Sequence, residues 1–164
     1  MSNSIELHKS TLSVQVENHF GVLARIAGLF SARGFNISSL SVAETEDPSV
    51  SIMTIVVDGD EQIVDQVKKQ LNKLIEVIKV RDLTEQDYVS RELAMIKVAV
   101  DSAKRREIIE IADIFKGRVV DISHENVTIE VTGSSEKIDA IIKLLTGYGI
   151  KELARTGKVA LIRG

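Results

Sequence analysis

The hydrophobic period of this chain switches between two and about 3.6 residues, and the same run of switches occurs twice. Over residues 11–17, Leu12, Val14 and Val16 alternate with Ser13 and Gln15, which predicts a strand with one face buried. Val22, Leu23, Ile26, Leu29 and Phe30 then fall on one stripe of a helix that stops around Gly34. Residues 36–43 and 50–57 read as strands, the second rich in β-branched side chains, and the acidic loop 44–49 between them holds the only proline, Pro48. Asp58-Gly59-Asp60 is a turn and helix start. Ile63, Val67, Leu71 and Leu74 mark the second helix and residues 77–80 a fourth strand. The order is β-α-β-β-α-β, the ferredoxin-like plan.

Residues 82–90 are polar and read as a linker, after which the plan recurs. Strands are expected over residues 93–100, 118–123, 127–132, 150–154 and 159–162. One helical stripe runs through Ile108, Ile111, Ala112 and Phe115, another through Ile138, Ile141, Ile142 and Leu145. The expected class is α+β, with two ferredoxin-like βαββαβ domains in tandem: residues 11–83, a linker at 84–90, and residues 91–164. The letters repeat as well. Ile26-Ala27-x-Leu29-Phe30-x-x-Arg33-x-x-Asn36-Ile37-Ser38 aligns without gaps to Ile111-Ala112-x-Ile114-Phe115-x-x-Arg118-x-x-Asp121-Ile122-Ser123. In that register Gly21 faces Arg106 and Asn18 faces Ala103, so the framework is shared and the loop feeding the first helix is not.

Composition narrows the function. With 44% hydrophobic residues in 164 and a single proline, the chain has the material for packed cores and is not a disordered or fibrous sequence. It has no cysteine, and its three histidines, His8, His19 and His124, are scattered singly, so no thiolate nucleophile and no zinc-type ligand spacing is present. No apolar run approaches the roughly 20 residues of a bilayer span, and residues 1–10 lack a signal-peptide apolar core. The expectation is a cytoplasmic protein with no membrane association. A net charge of -3 argues against a nucleic-acid partner, as does the lack of aromatics over residues 11–17 and 51–57, where RNA-recognition modules of this fold stack bases. There is no G-x-G-x-x-G, Walker or G-x-S-x-G motif, so catalysis has no visible home.

One loop stands out. Glu17-Asn18-His19-Phe20-Gly21-Val22-Leu23 joins the first strand to the first helix, where free N–H groups and the positive end of the helix dipole favour an anion. Gly21 lets a ligand approach the backbone, and Asn18 offers both a carbonyl and an amide. Such a loop suits a small zwitterion. The alternative is that Asn18 caps the turn and Gly21 only relaxes the backbone. Lys104-Arg105-Arg106 as a site for an acidic partner, Glu46 and Asp47 as a metal pair, and His19 as a general base are weaker candidates, each better explained as solvated surface.

The stretch Val16-Glu17-Asn18-His19-Phe20-Gly21-Val22-Leu23-Ala24-Arg25-Ile26, followed by Gly28-Leu29-Phe30-Ser31-x-Arg33-Gly34-Phe35-Asn36-Ile37, resembles the ACT domain, an amino-acid-sensing module. Thr45-Glu46-Asp47-Pro48, Lys69-Gln70-Leu71-Asn72-Lys73-Leu74, Arg91-Glu92-Leu93, Ala112-Asp113-Ile114-Phe115 and Ala154-Arg155-Thr156-Gly157 extend the resemblance over residues 12–164, to the small regulatory subunits of acetolactate synthase (acetohydroxyacid synthase). The resemblance implies that the first domain is an ACT domain, that the chain is a non-catalytic homodimer, and that it binds and activates a catalytic large subunit in branched-chain amino acid biosynthesis. Thiamine diphosphate, FAD and magnesium would belong to that large subunit, and none to this chain. It also implies feedback inhibition by valine, with leucine and isoleucine as further candidate effectors, bound between the ACT domains of two chains. Carried over, the site is Asn18, Gly21, Val22, Leu23, Asn36 and Ile37. The chain departs from the family pattern at two places: His19-Phe20, often an acidic residue followed by Pro or Ser, and Ile52, usually Arg. A stand-alone ACT-type sensor and a small acylphosphatase-like enzyme are the competing readings.

Overall fold

A computed structural model describes residues 8–164; most of the segment read as lacking a signal-peptide core lies outside the described residues. The chain divides into two compact units, one running to Val89 and including Ala160–Gly164, the other Ser90–Val159. The first unit contains β1 (Lys9–Glu17), α1 (Val22–Arg33), β2 (Asn36–Glu44), β3 (Val50–Asp58), α2 (Glu61–Asn72) and β4 (Val77–Asp82). These strands form an antiparallel sheet in the order β2-β3-β1-β4, with Leu12 opposite Ile55 and Val14 between Met53 and Val80. Leu12, Val14, Met53, Ile55 and Val57 meet Val22, Ile26 and Phe30 of α1 and Val64, Val67 and Leu71 of α2 in one core. The apolar stripes in the sequence are therefore the seam between sheet and helices.

The second unit holds most of β5 (Tyr88–Ala99), then α3 (Lys104–Ile114), β6 (Arg118–Ile122), β7 (Asn126–Gly133), α4 (Ser135–Thr146) and β8 (Ile150–Arg155), in the sheet order β6-β7-β5-β8. A last short strand, β9 (Val159–Ile162), pairs with β5. Ala94, Ile96, Val98, Val127, Ile129 and Val131 pack against Ile108, Ile111, Ile138, Ile141 and Leu145 in a separate core. The fold class is the expected α+β, with the same strand order in each unit.

Three expectations need amendment. β1 is buried on both faces: Thr11 is 3% exposed and Ser13 9%. The β9 segment borders Ser13 on the outer face, and the segment read as a linker continues the ladder beside Thr11. Leu83 is buried, its N–H bonds the Thr11 carbonyl at 2.9 Å, and Thr84 Oγ1 accepts the Thr11 N–H at 3.2 Å. The linker is also shorter than it reads, because Tyr88, Val89 and Ser90 already belong to β5. The third amendment concerns the repeat. Helix starts at Val22 and Lys104, left-handed residues at Gly34 and Lys116, and i+5→i bonds from Phe35 to Phe30 and from Gly117 to Ala112 all correspond at a spacing of 82 (104 − 22, 116 − 34, 117 − 35). The β-bulges after Ile37 and after Val119 correspond at the same spacing, 119 − 37. The gapless letter match, at 111 − 26 = 85, is slipped by three residues. A helix presents the same face again after three or four residues, so such a slip keeps the apolar stripe and leaves no trace in the pattern.

Candidate functional site

α1 differs from the other helices at its entrance. The side chain of Asp60 caps α2 by accepting from Ile63 N–H at 2.9 Å, and Ser134 caps α4 by accepting from Lys137 N–H at 3.3 Å. Asp101 Oδ1 accepts from Ala103 and Lys104 N–H, at 3.0 and 2.8 Å, at the head of α3. Those bonds to backbone N–H, the Lys104 one foremost, hold the Asp101 carboxyl below its usual range. At α1 no side chain caps the helix, and its first turn carries no acidic residue. Gly21 occupies the N-cap position at φ +87, in the left-handed region. The space where a Cβ would project is open, so it is the backbone conformation that calls for glycine there.

The loop is pinned from both sides. Asn18 N–H donates to the Ser49 carbonyl at 2.8 Å, and its side-chain Nδ2 donates to Pro48 O at 2.9 Å and Glu44 Oε2 at 3.2 Å. Asn18 is therefore no cap for α1; it ties the loop to the β2–β3 hairpin and leaves its Oδ1 as an acceptor. On the other side Glu17 N–H donates to Glu76 O at 2.8 Å, and the buried Glu76 carboxylate pairs with Arg25 of α1. His19 Nε2 contacts Glu17 Oε2 at 2.9 Å, and that hydrogen bond, helped by the Phe20 carbonyl, raises the imidazole pKa above its ordinary value. Val22 is buried, Leu23 is 46% exposed, and Phe20 at the loop tip is fully exposed.

Asn36 and Ile37 are elsewhere. Asn36 pairs with Asp58 in the ladder, as does Lys9 at the start of β1, whereas the loop follows Glu17 at the end of β1. Asn36 and Ile37 thus lie at the opposite end of the sheet from Asn18, Gly21, Val22 and Leu23, separated by the length of α1, about 18 Å for 12 residues. The Asn36 side chain donates to Asp58, and Ile37 packs partly on the core. One copy of the chain brings four of the six residues together and holds two apart.

The weaker candidates have structural partners. Asp47 Oδ1 accepts from Ser49 N–H at 2.9 Å and Ser49 Oγ at 2.7 Å, which lowers its pKa and makes it a turn residue. Arg105 donates to the Ser123 and His124 carbonyls at 2.9 and 3.0 Å, holding the β6–β7 turn. Among the described residues no group of three or more His, Asp or Glu side chains is placed to hold a metal ion, and no helix is long and apolar enough to cross a membrane. Sequence reasoning missed Arg25 and Glu76. The one available signal was a lone acid between Ile75 and Val77, a position at which a carboxylate needs a partner.

Comparison with known proteins bears on both units. Residues 12–79 match the family described as the AHAS small subunit-like ACT domain, and residues 91–164 match the small subunit of acetolactate synthase. The chain is 58% identical to the probable acetolactate synthase small subunit of Archaeoglobus fulgidus, over 95% of this chain and 98% of that one. It is 51% identical to the acetolactate synthase small subunit of Mycolicibacterium smegmatis, over 100% of this chain and 95% of that protein. The crystal structure of the small subunit from Thermotoga maritima superposes with a TM-score of 0.89 at 41% identity, covering 96% of this chain and 99% of that one. The repeated frame of two βαββαβ units, with an ACT domain first, has its explanation here: this chain belongs to the acetolactate synthase small-subunit family.

Proposed function

We propose that this chain is a non-catalytic, cytoplasmic regulatory subunit that binds the catalytic large subunit of acetolactate synthase, raises its activity and makes it sensitive to valine. The uncapped entrance of α1 beside Asn18 Oδ1 carries the effector part of the reading. The helix N-terminus would receive the valine carboxylate, typically worth ~0.3–1 kcal/mol and up to ~2 when partly buried. Asn18 Oδ1 would accept from the ammonium, and the isopropyl group would lie against Leu23, worth roughly 1.5–3 kcal/mol if fully buried. These gains must offset immobilising the ligand, so modest affinity is expected. Thiamine diphosphate, FAD and magnesium would act on the large subunit.

The separation of Asn36 and Ile37 from the loop supports a dimer. β2 is an edge strand of nine residues running from Asn36 to Glu44, with Leu40 and Val42 exposed on it. Unpaired edges of this length favour a second strand. If a second copy adds its β2 antiparallel, its Asn36 end comes to the Glu44 end of the first, where Asn18 bonds Glu44. That completes the six-residue site from two copies. A stand-alone sensor of another target is disfavoured because the match to small subunits extends over residues 91–164.

The test is to assay the large subunit at saturating cofactors with and without this chain, then to titrate valine, leucine and isoleucine. The expected result is no turnover by this chain alone, a higher rate for the pair, and inhibition by valine. A rate unchanged across a wide excess of this chain would overturn the regulatory reading, and a strictly monomeric mass in light scattering with valine present would overturn the two-chain site.

A further inference from the structure

The sheet of the first unit has its helices on one face; the other carries a cleft that the effector reading does not use. It has a volume of about 140 Å³ and is lined by side chains of β1, β3 and β4 together with Leu83 and residues of β9. The register explains its composition. On β4, Lys79 lies opposite Gln15 and Arg81 opposite Ser13, so both cations stand on the outer face, two residues and hence about 7 Å apart. Gln15 in turn lies opposite Ile52 on β3. Neither Lys79 nor Arg81 forms an ion pair or a side-chain hydrogen bond among the described residues. Ser13 is 9% exposed, yet its hydroxyl bonds no described protein atom and borders this cleft. A surface strand ordinarily places a carboxylate beside two adjacent cations. Here the donors converge on space, and the rest of the wall is apolar: Ile52, buried Leu83 and exposed Leu161.

We propose that this cleft binds a small organic carboxylate carrying a short branched aliphatic tail. Lys79 and Arg81 provide the charge for the carboxylate, with Arg81 able to engage both oxygens and the Ser13 hydroxyl donating from below. Ile52, Leu83 and Leu161 provide the surface for the tail. The volume is close to that of a cavity that takes benzene, which limits the ligand to about six to eight non-hydrogen atoms. No carboxylate lines the cleft to receive an ammonium group, so an acid without an amine fits better than an amino acid. The cleft shares no residue with the α1 entrance, and the proposal stands whether or not valine binds there.

The experiment is a titration of the full-length, ¹⁵N-labelled chain with sodium 3-methylbutanoate, followed by NMR. The expected result is saturable movement of the backbone amides of Ser13, Gln15, Lys79 and Arg81 in the millimolar range, with Leu23 and Ala24 unmoved. Arg81→Gln should weaken binding about fivefold, the upper weight of one exposed ion pair, and 3-methylbutanol should bind at least as much more weakly. Folding of the variant is checked by its unshifted amide spectrum away from β4. Gly21→Asp should bind the acid as the parent does. Equal binding of acid and alcohol, no loss with folded Arg81→Gln, non-saturating shifts, or shifts confined to the α1 entrance would each overturn the proposal.

Discussion

The heads of α1 and α3 begin from the same place in two copies of one fold and are finished differently. At α3, Ala103 sits in the right-handed region and the Asp101 carboxylate bonds the first backbone N–H groups, so the charge attraction of the helix end is satisfied within the chain. At α1, the equivalent of Ala103 is Gly21, in a left-handed conformation, and no side chain fills the corresponding place. Equal scaffolds thus offer an anion unequal receptions: one helix end is already neutralised, the other is open. Duplication supplied two frames, and the difference between them lies in about three loop residues.

The comparison breaks most visibly through a matched pair of substitutions. Gly21→Asp places a negative charge where the valine carboxylate is proposed to sit, and like charges about 4 Å apart cost on the order of 4 kcal/mol at an effective dielectric of 20. Valine inhibition of the assembled enzyme should be lost while activation remains. Ala103→Asp, the same change at the matching position of the second unit, should leave the inhibition curve where it was. A folded Gly21→Asp that still responds at the parental valine concentration would show that the open helix end is not the site.

A second pair tests the register between the units. With a spacing of 82, Phe30 corresponds to Ala112, both buried; with a spacing of 85 it corresponds to Phe115. Phe30 is 2% exposed and stacks edge-on against Phe35, with ring centroids 6.1 Å apart. Phe115 is only partly buried against its core. Denaturant unfolding should give a loss of ~3–5 kcal/mol for Phe30→Ala and about half that for Phe115→Ala. Equal losses would mean that the two rings do the same job and that the letter alignment is the structural one.

The smallest effect expected is at His19, and its counterpart by position is Asp101. The His19 pKa is raised in the folded chain by Glu17, so the pair stabilises the fold below pH 6.5, and that contribution fades as pH rises through the higher folded value. Asp101 is lowered, so its contribution is present above the ordinary carboxylate range and fades as pH falls. Glu17→Gln should bring the His19 titration, followed by NMR, down toward 6.5. A titration that stays where it was would remove Glu17 as the cause.

Period and punctuation made most of the fold legible: each helix and strand lies within a few residues of where alternation, stripes and Asp or Gly signals place it. The lapses share a cause. Burial of Thr11 and Ser13 depends on residues far along the chain, Leu83, Tyr88 and the β9 segment, and polar side chains give no periodic sign of being covered. The three-residue slip between the halves is invisible because helix faces repeat at nearly that interval. At the candidate site Gly21 and Asn18 were readable as unusual residues at a helix start. The distance between that loop and Asn36 was not, because it follows from the parallel direction of β1 and β2, a property of chain pairing rather than of composition.

The return of Ala160–Gly164 to the first unit has a consequence for the order in which the protein is made. Seventy residues, 90 to 159, are synthesised between Val89 and the segment that completes the outer face of the first sheet. A nascent chain can therefore finish the helix-covered core of that unit early, yet must carry Ser13, Ile52 and Leu83 without their β9 neighbours until the second unit has already emerged. The unit that begins first is the one completed last, and premature termination anywhere in the second half would leave its mark on the first.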